Sequence, residues 1–316
     1  MTAKLAIISG YLGSGKSTLV NRLLGGVLPG RTAVVVNDFG SINIDADLIS
    51  SADEDTIELT NGCICCQIND DASRVMSKLA ERADLDNVLC EVSGVGDPRQ
   101  IAQWRTFPGF TRGPLVVCAD ATALPRLLKN EYVGDTVSRQ LARAETVLIT
   151  KTDVALPRDI SKTEEACRRA APNALIFIQE STDPGKTALE VFGPAQNDAS
   201  ARYTDESPKQ NKGAEALAHQ TRHASVTVDL PKPLDIDVLV SFLSSQSALL
   251  MRAKGIALDK AGSWQEVQLA GRQVTVRPHG SQKRRPESSA MVMIAAGPNA
   301  EGIVHEAEAE LKQLNR

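Results

Sequence analysis

The sequence predicts an α/β fold with a mainly parallel sheet and helices on both faces, followed by a smaller two-layer α+β C-terminal domain. Three observations carry this expectation. From Lys4 to about Ile178, short apolar or β-branched runs alternate with amphipathic stretches, the pattern of strands buried on both faces beneath helices. A glycine-rich loop joins the first run to the first amphipathic stretch. The segment 181–222 is rich in Ser, Asp, Pro, Gly, Lys and Ala without periodicity, which reads as a linker dividing a first domain at 1–180 from a second at 223–316.

Strands are expected at Leu5 to Ser9, Thr32 to Asn37, Val88 to Val92, Leu115 to Ala119, Thr146 to Thr150 and Ala174 to Ile178. Helices are expected between them at Ser17 to Leu24, Ala72 to Arg82 and Ile160 to Ala170. Inside the linker a helix near Ala214 to His219 fits the local composition. Beyond it, strands at Ser225 to Leu230, Leu249 to Leu258, Gln265 to Ala270, Gln273 to Arg277 and Ala290 to Ala296 accompany helices at Leu234 to Ser244 and Asn299 to Leu314. Gly271-Arg272 suits the tight turn of a hairpin.

The 316 residues exceed the length at which one core stops growing. A net charge of -4 with interspersed signs argues against a constitutive grip on nucleic acid or an anionic membrane. Small molecules and proteins are the expected partners. The six cysteines form no spaced disulfide framework, the first apolar run enters the loop too early for a signal peptide, and no apolar stretch is long enough to span a bilayer. Reduced thiols in cytoplasm are therefore expected.

The loop, Gly10-Tyr11-Leu12-Gly13-Ser14-Gly15-Lys16-Ser17, fits G-x-x-x-x-G-K-[ST] between an apolar strand and an amphipathic helix, which makes the first domain a P-loop NTPase. Gly10, Gly13, Ser14, Gly15 and Thr18 belong to the wrap of backbone N–H groups around phosphates. Lys16 is expected to reach the β and γ phosphates, and Ser17 to ligate Mg²⁺. The strand ending at Cys90 leads into Glu91-Val92-Ser93-Gly94. Glu91 is a catalytic and Mg²⁺-holding candidate, and Gly94 lets a backbone N–H approach the γ-phosphate. Thr150-Lys151-Thr152-Asp153 follows another apolar strand. Asp153 can accept from the N1–H and exocyclic amine of guanine, which adenine does not offer in that arrangement, while the stem of Lys151 can lie across the base.

A second chemistry stands at Gly62-Cys63-Ile64-Cys65-Cys66. Three neighbouring thiolates repel unless a cation sits among them, and soft sulfur suits Zn²⁺ or Cu(I) over Mg²⁺. Three protein ligands leave a fourth position vacant, which suits catalysis or handing the metal on rather than a closed structural site. Polar Asn61, Gln67, Asn69 and Asp70 surround the block where a core would be apolar. Cys90, Cys118 and Cys167 read as packing residues. His219, His223, His279 and His305 read as ordinary surface or structural residues, and Lys283-Arg284-Arg285 as a solvated loop tip.

Together these motifs resemble the CobW family of metal-associated P-loop GTPases, relatives of the nickel-insertion GTPases for urease and hydrogenase. The resemblance runs through GYLGSGKSTL, VNDFGSINID, NGCICC, EVSGVGDP, TKTD and LLMRAKGIAL, and so covers nearly the whole chain. It implies GTP hydrolysis coupled to capture, transfer or insertion of a transition metal, with a client metalloprotein as recipient; abundance and the thiolate ligand type favour zinc. A GTP-gated scaffold with a structural metal, cobalt or iron insertion for cobalamin synthesis or nitrile hydratase, and a phosphoryl-transferring kinase or synthetase remain as rivals, and homo-oligomerisation stays open. Three departures stand out. Thr150 replaces the usual asparagine, which is expected to loosen support of the base-reading loop. Asp38 replaces a glutamate as a candidate switch ligand to Mg²⁺ or the transferred metal. There is no histidine-rich tract.

Overall fold

The computed structural model of the protein describes residues 2–36, 56–58, 76–193, 223–280, 286 and 288–313. Among these residues, seven strands make the first sheet: β1 (Ala3–Ser9), β2 (Thr32–Val36), β3 (Thr56–Glu58), β4 (Asn87–Glu91), β5 (Phe110–Asp120), β6 (Thr146–Thr150) and β7 (Leu175–Ile178). They run parallel in the order β3-β2-β4-β1-β5-β6-β7. Parallel pairing brings the ends of β1, β4, β5 and β6 to one edge, where ligands of such sheets gather.

Alternation along β1 explains the layers. Leu5 and Ile7 enter one core with Val88, Leu115 and Val137, while Ala6 and Ile8 enter the other with Leu19, Leu89 and Phe192. The second core is covered by α1 (Lys16–Arg22) and a helix at Pro184–Phe192, and the first by α2 (Gly134–Leu141) and α3 (Pro157–Ala170). Leu5, Ile7 and Ile8 are completely buried, each contributing about 1.5–3 kcal/mol of hydrophobic stabilisation.

Two local expectations are corrected. The stretch read as linker from residue 181 begins with a helix, α4 (Pro184–Phe192), whose Ala188, Val191 and Phe192 are buried. Its start signal is explicit: Asp183 accepts from the Lys186 N–H as the cap, and Pro184 takes the first turn. Strand β5 also begins five residues before the expected Leu115, running through Gly113-Pro114. A Cβ at Gly113 would lie 2.5 Å from the Leu5 carbonyl oxygen, and the pairing with β1 shifts register between Leu5 and Ile7, so an irregularity absorbs the dipeptide that reads as a strand breaker. The expected helix near Ala214 to His219 and the tip Lys283-Arg284-Arg285 lie outside the described residues.

The second sheet is antiparallel: β8 (His223–Asp229), β9 (Arg252–Leu258), β10 (Trp264–Ala270), β11 (Gln273–Pro278) and β12 (Ala290–Ala296), in the order β11-β10-β9-β12-β8. Ala270 pairs with Gln273 across a two-residue turn whose first residue, Gly271, has φ of 62°, as a II′ hairpin turn requires. Helices α5 (Ile236–Ser245) and α6 (Ala300–Gln313) cover one face, where Leu239, Phe242, Val304 and Leu311 meet Val228, Val267, Met291 and Met293. On the opposite face Ile256, Val292 and Ile294 pack with Leu12 of the glycine-rich loop. The second sheet therefore lies directly against that loop.

Candidate nucleotide site

The loop after β1 turns tightly because its glycines adopt conformations closed to other residues. Gly10 has φ of 134°, and a Cβ there would sit 2.5 Å from the Cys118 carbonyl oxygen of β5. Gly15 has φ of 92° and forms the left-handed cap from which α1 departs. The Ser14 N–H donates to the Tyr11 carbonyl at 3.1 Å, and Leu19 N–H to the Gly15 carbonyl at 2.9 Å. Lys16 is buried, its ammonium donating to the Gly10 carbonyl at 2.9 Å. In this pose the cation folds back over the loop that a phosphate chain would occupy. Thr18 stands exposed in the first turn of α1.

Ser17 and Glu91 meet across the sheet edge. The Ser17 hydroxyl donates to Glu91 Oε1 at 3.1 Å, and Glu91 is 3% exposed at the end of β4. Both groups are hard oxygen donors, a set that suits Mg²⁺ and not a soft metal.

The turn beyond Glu91 is pressed onto the glycine-rich loop. A Cβ on Gly94 would lie 2.5 Å from Leu12 Cδ2 and 2.9 Å from Leu12 N, so glycine permits the contact. The Gly96 N–H donates to the Ser93 carbonyl at 2.9 Å. From α2, the Gln140 amide donates to the carbonyls of Gly94 at 3.2 Å and Gly96 at 3.0 Å. At the end of the turn Asp97 accepts from Arg99 N–H at 2.9 Å and Arg99 Nε at 2.8 Å. Burial pushes the Asp97 carboxyl up, but the Arg99 hydrogen bonds and the charges of Arg99 and Arg143 outweigh it, leaving the group below its ordinary value.

The segment Thr150–Asp153, expected to read the base, is tied to the same loop. The buried Thr150 hydroxyl lies 2.8 Å from the Ser14 carbonyl and 3.3 Å from that of Ala119. A hydroxyl here supplies support that its asparagine-replacing position was expected to weaken. Lys151 has φ of 57°, and its ammonium donates to Asp120 Oδ2 at 2.6 Å. Asp120 Oδ1 in turn accepts from the Thr122 N–H at 2.8 Å and hydroxyl at 2.6 Å. The Thr152 hydroxyl donates to the Gln179 carbonyl at 2.6 Å, leaving Asp153 exposed on the segment between these anchors.

Of the residues expected to form the site, Gly10, Gly13, Ser14, Gly15, Lys16, Ser17, Thr18, Glu91, Gly94, Lys151 and Asp153 lie along one edge of the first sheet. Asp38, Cys63, Cys65 and Cys66 lie outside the described residues. Cys90 and Cys118 are buried thiols, each pushed up to about 12 by burial, as packing residues should be. Asp120 and Gln140 were not anticipated. A carboxylate at the end of the apolar run Leu115 to Ala119 was a readable signal for Asp120, by the same logic as Glu91; nothing local marked Gln140. Nor was the role of His223 foreseen: its Nε2 is 3.2 Å from the Tyr11 hydroxyl, joining β8 to the glycine-rich loop.

A strand-loop-helix phosphate cradle at the edge of a parallel sheet defines a P-loop nucleotide-binding α/β protein. Residues 4–178 match the family model described as the CobW/HypB/UreG nucleotide-binding domain, and residues 223–311 match the cobalamin synthesis protein cobW C-terminal domain. The chain belongs to the CobW family. It is 27% identical over 221 residues to the zinc chaperone CobW of Pseudomonas aeruginosa, covering 60% of this chain and 58% of that protein. With the zinc chaperone CobW of a Sinorhizobium species it shares 37% identity over 178 residues, 47% of this chain and 50% of the relative. The zinc chaperone YjiA of Escherichia coli K12 is 26% identical over 273 residues, 80% of each chain. The chain thus spans between half and three fifths of the first two relatives. Among the described residues no helix is long and apolar enough to cross a membrane.

Proposed function

We propose that the protein binds and hydrolyses GTP and uses that cycle to hold a transition metal, zinc foremost, and pass it to a client protein. The observation that carries the nucleotide half is the Thr150 to Ser14 hydrogen bond at 2.8 Å, because it couples a guanine-reading carboxylate segment to the phosphate loop. The support for zinc as cargo is the NGCICC block together with three relatives named as zinc chaperones.

In this reading Gly10, Gly13, Ser14, Gly15 and Thr18 surround the phosphates, and Lys16 leaves the Gly10 carbonyl to neutralise the β and γ oxygens. Ser17 and Glu91 would hold Mg²⁺, which would supply charge neutralisation to the phosphates; Asp38 is a further candidate. Gly94 offers its N–H to the γ-phosphate, Asp153 reads guanine, and Lys151, held by Asp120, flanks the base. Cys63, Cys65 and Cys66 take the transported metal as thiolates, with the fourth position open for exchange with the client. A division into a first domain that includes α4 and a second at 223–316, and a cytoplasmic setting, belong to the same proposal.

Calorimetric titration with GTP, GDP and ATP tests the nucleotide half, and phosphate release tests hydrolysis. For the metal half, zinc is titrated with a GTP analogue bound and again with GDP. By linkage any change in zinc affinity must be mirrored in nucleotide affinity, so equal zinc affinity in both states would remove the coupling while leaving two independent sites.

A further inference from the structure

Gln140 is an unusual residue for its place. It lies on α2 between Val137 and Leu141, which are core residues, and is itself 2% exposed. A buried amide is costly unless its hydrogen bonds are made, and both bonds that its Nε2 donates go to one target. Nε2 donates to the carbonyls of Gly94 and Gly96, the two glycines of the turn after Glu91. The same side chain lines a small cavity beneath the glycine-rich loop with Tyr11, Leu12, Ser14 and Asp120. It therefore sits where the phosphate loop and the turn meet.

That turn needs an external hold. Glycine explores more backbone states than any other residue, and this turn has two glycines flanking Val95. The Gly96 N–H to Ser93 carbonyl bond at 2.9 Å fixes the peptide joining Ser93 to Gly94 from inside the turn. Because a trans peptide directs its C=O and N–H to opposite sides, the Gly94 N–H then faces away from the turn interior. The Gln140 amide immobilises the next carbonyls along, at Gly94 and Gly96. Resting on the GTP reading, we propose that Gln140 is a positioning residue that presets the 93–97 turn to receive the γ-phosphate, without itself touching nucleotide.

A positioning role separates GTP from GDP, which lacks the phosphate that the turn receives. Gln140→Leu keeps the apolar contacts and loses both hydrogen bonds; Gln140→Met keeps the length and offers no donor to either carbonyl. In both variants the affinity for GDP should stay within about twofold of wild type, while affinity for a non-hydrolysable GTP analogue and kcat for GTP each fall about tenfold, the scale expected when two neutral hydrogen bonds are lost. Binding is followed by fluorescence of labelled nucleotides and turnover by phosphate release. Unchanged analogue affinity and kcat in both variants would overturn the assignment. So would parallel loss of GDP and analogue affinity in both, which would make Gln140 a support of the whole fold. A wild-type protein that binds neither nucleotide would overturn the GTP reading and, with it, this role; retained GDP binding in wild type separates the two failures.

Discussion

The Thr150 hydroxyl stands 2.8 Å from the Ser14 carbonyl, so the end of β6 and the glycine-rich loop are joined by a side chain that is 3% exposed. Its removal leaves a buried carbonyl without this donor, at a cost of about 1–3 kcal/mol. Thr150→Val, close in shape, should lower the melting temperature and weaken GDP and GTP alike by roughly tenfold. Thr150→Ser retains the hydroxyl and should lie near wild type. Equal nucleotide affinity in Thr150→Val and wild type would mean that the loop is held elsewhere.

Base selection is expected to rest on the Asp153 carboxylate. Its two acceptors match the N1–H and amino group of guanine; an amide at this place presents one donor, which a base bearing a carbonyl at position 2 can meet. Asp153→Asn should lose GTP by roughly 100-fold or more and gain xanthosine triphosphate. Competition binding with GTP, xanthosine triphosphate and ATP reads the outcome, and an unaltered preference for GTP would move the base reader to another residue.

Gly94 and Leu12 should be energetically coupled. A methyl at Gly94 meets Leu12 Cδ2 at 2.5 Å and the Leu12 nitrogen at 2.9 Å, so Gly94→Ala must displace the turn or the loop, with overpacking of about 1–3 kcal/mol. GTP-analogue affinity should fall by roughly tenfold and GDP affinity by less. Leu12→Ala removes the nearer clash but not the backbone one, so the double variant should recover part of the loss. A double-mutant cycle measures this coupling; strict additivity would mean that the two residues do not communicate. Leu12 also packs with Ile256, Val292 and Ile294 of the second sheet, and any shift at this position is felt there.

The phosphate loop and the strands around it were legible in the sequence because their signals are local. Glycine at 10 and 15 meets a backbone requirement, and apolar alternation in β1 meets a two-faced burial requirement. What escaped depends on contacts between distant segments. Gln140 is 44 and 46 residues from the carbonyls it holds, and Tyr11 is 212 residues from His223. No period or spacing encodes either pairing. The helix at Pro184–Phe192 was missed although Asp183 and Pro184 announce it, because the polar composition of the longer segment outweighed the local start signal. The cysteine block, expected from its sequence to hold a metal, lies outside the described residues.

A final prediction concerns stability away from the site. Glu145 accepts from Arg105 at 2.6 and 2.9 Å, from Arg112, and from the Leu115 N–H at 3.1 Å, with Arg105 itself 5% exposed. Burial pushes the Glu145 carboxyl up, yet hydrogen bonds and charge from the two arginines outweigh it and hold the group below its ordinary value. A carboxylate lowered in the folded state binds protons more readily when unfolded. Its stabilisation is therefore present above the ordinary glutamate value, about 4.3, and is lost as pH falls through the lower folded value. Glu145→Gln leaves the Arg105 guanidinium buried without its counter-charge, which should cost about 3–5 kcal/mol. Urea unfolding at neutral pH should show that loss, and the difference between wild type and variant should narrow as the pH is lowered below 4.3. A constant difference across that range would show that the carboxylate charge contributes nothing, and that the cost of the substitution comes from packing around Leu115 and Gly113.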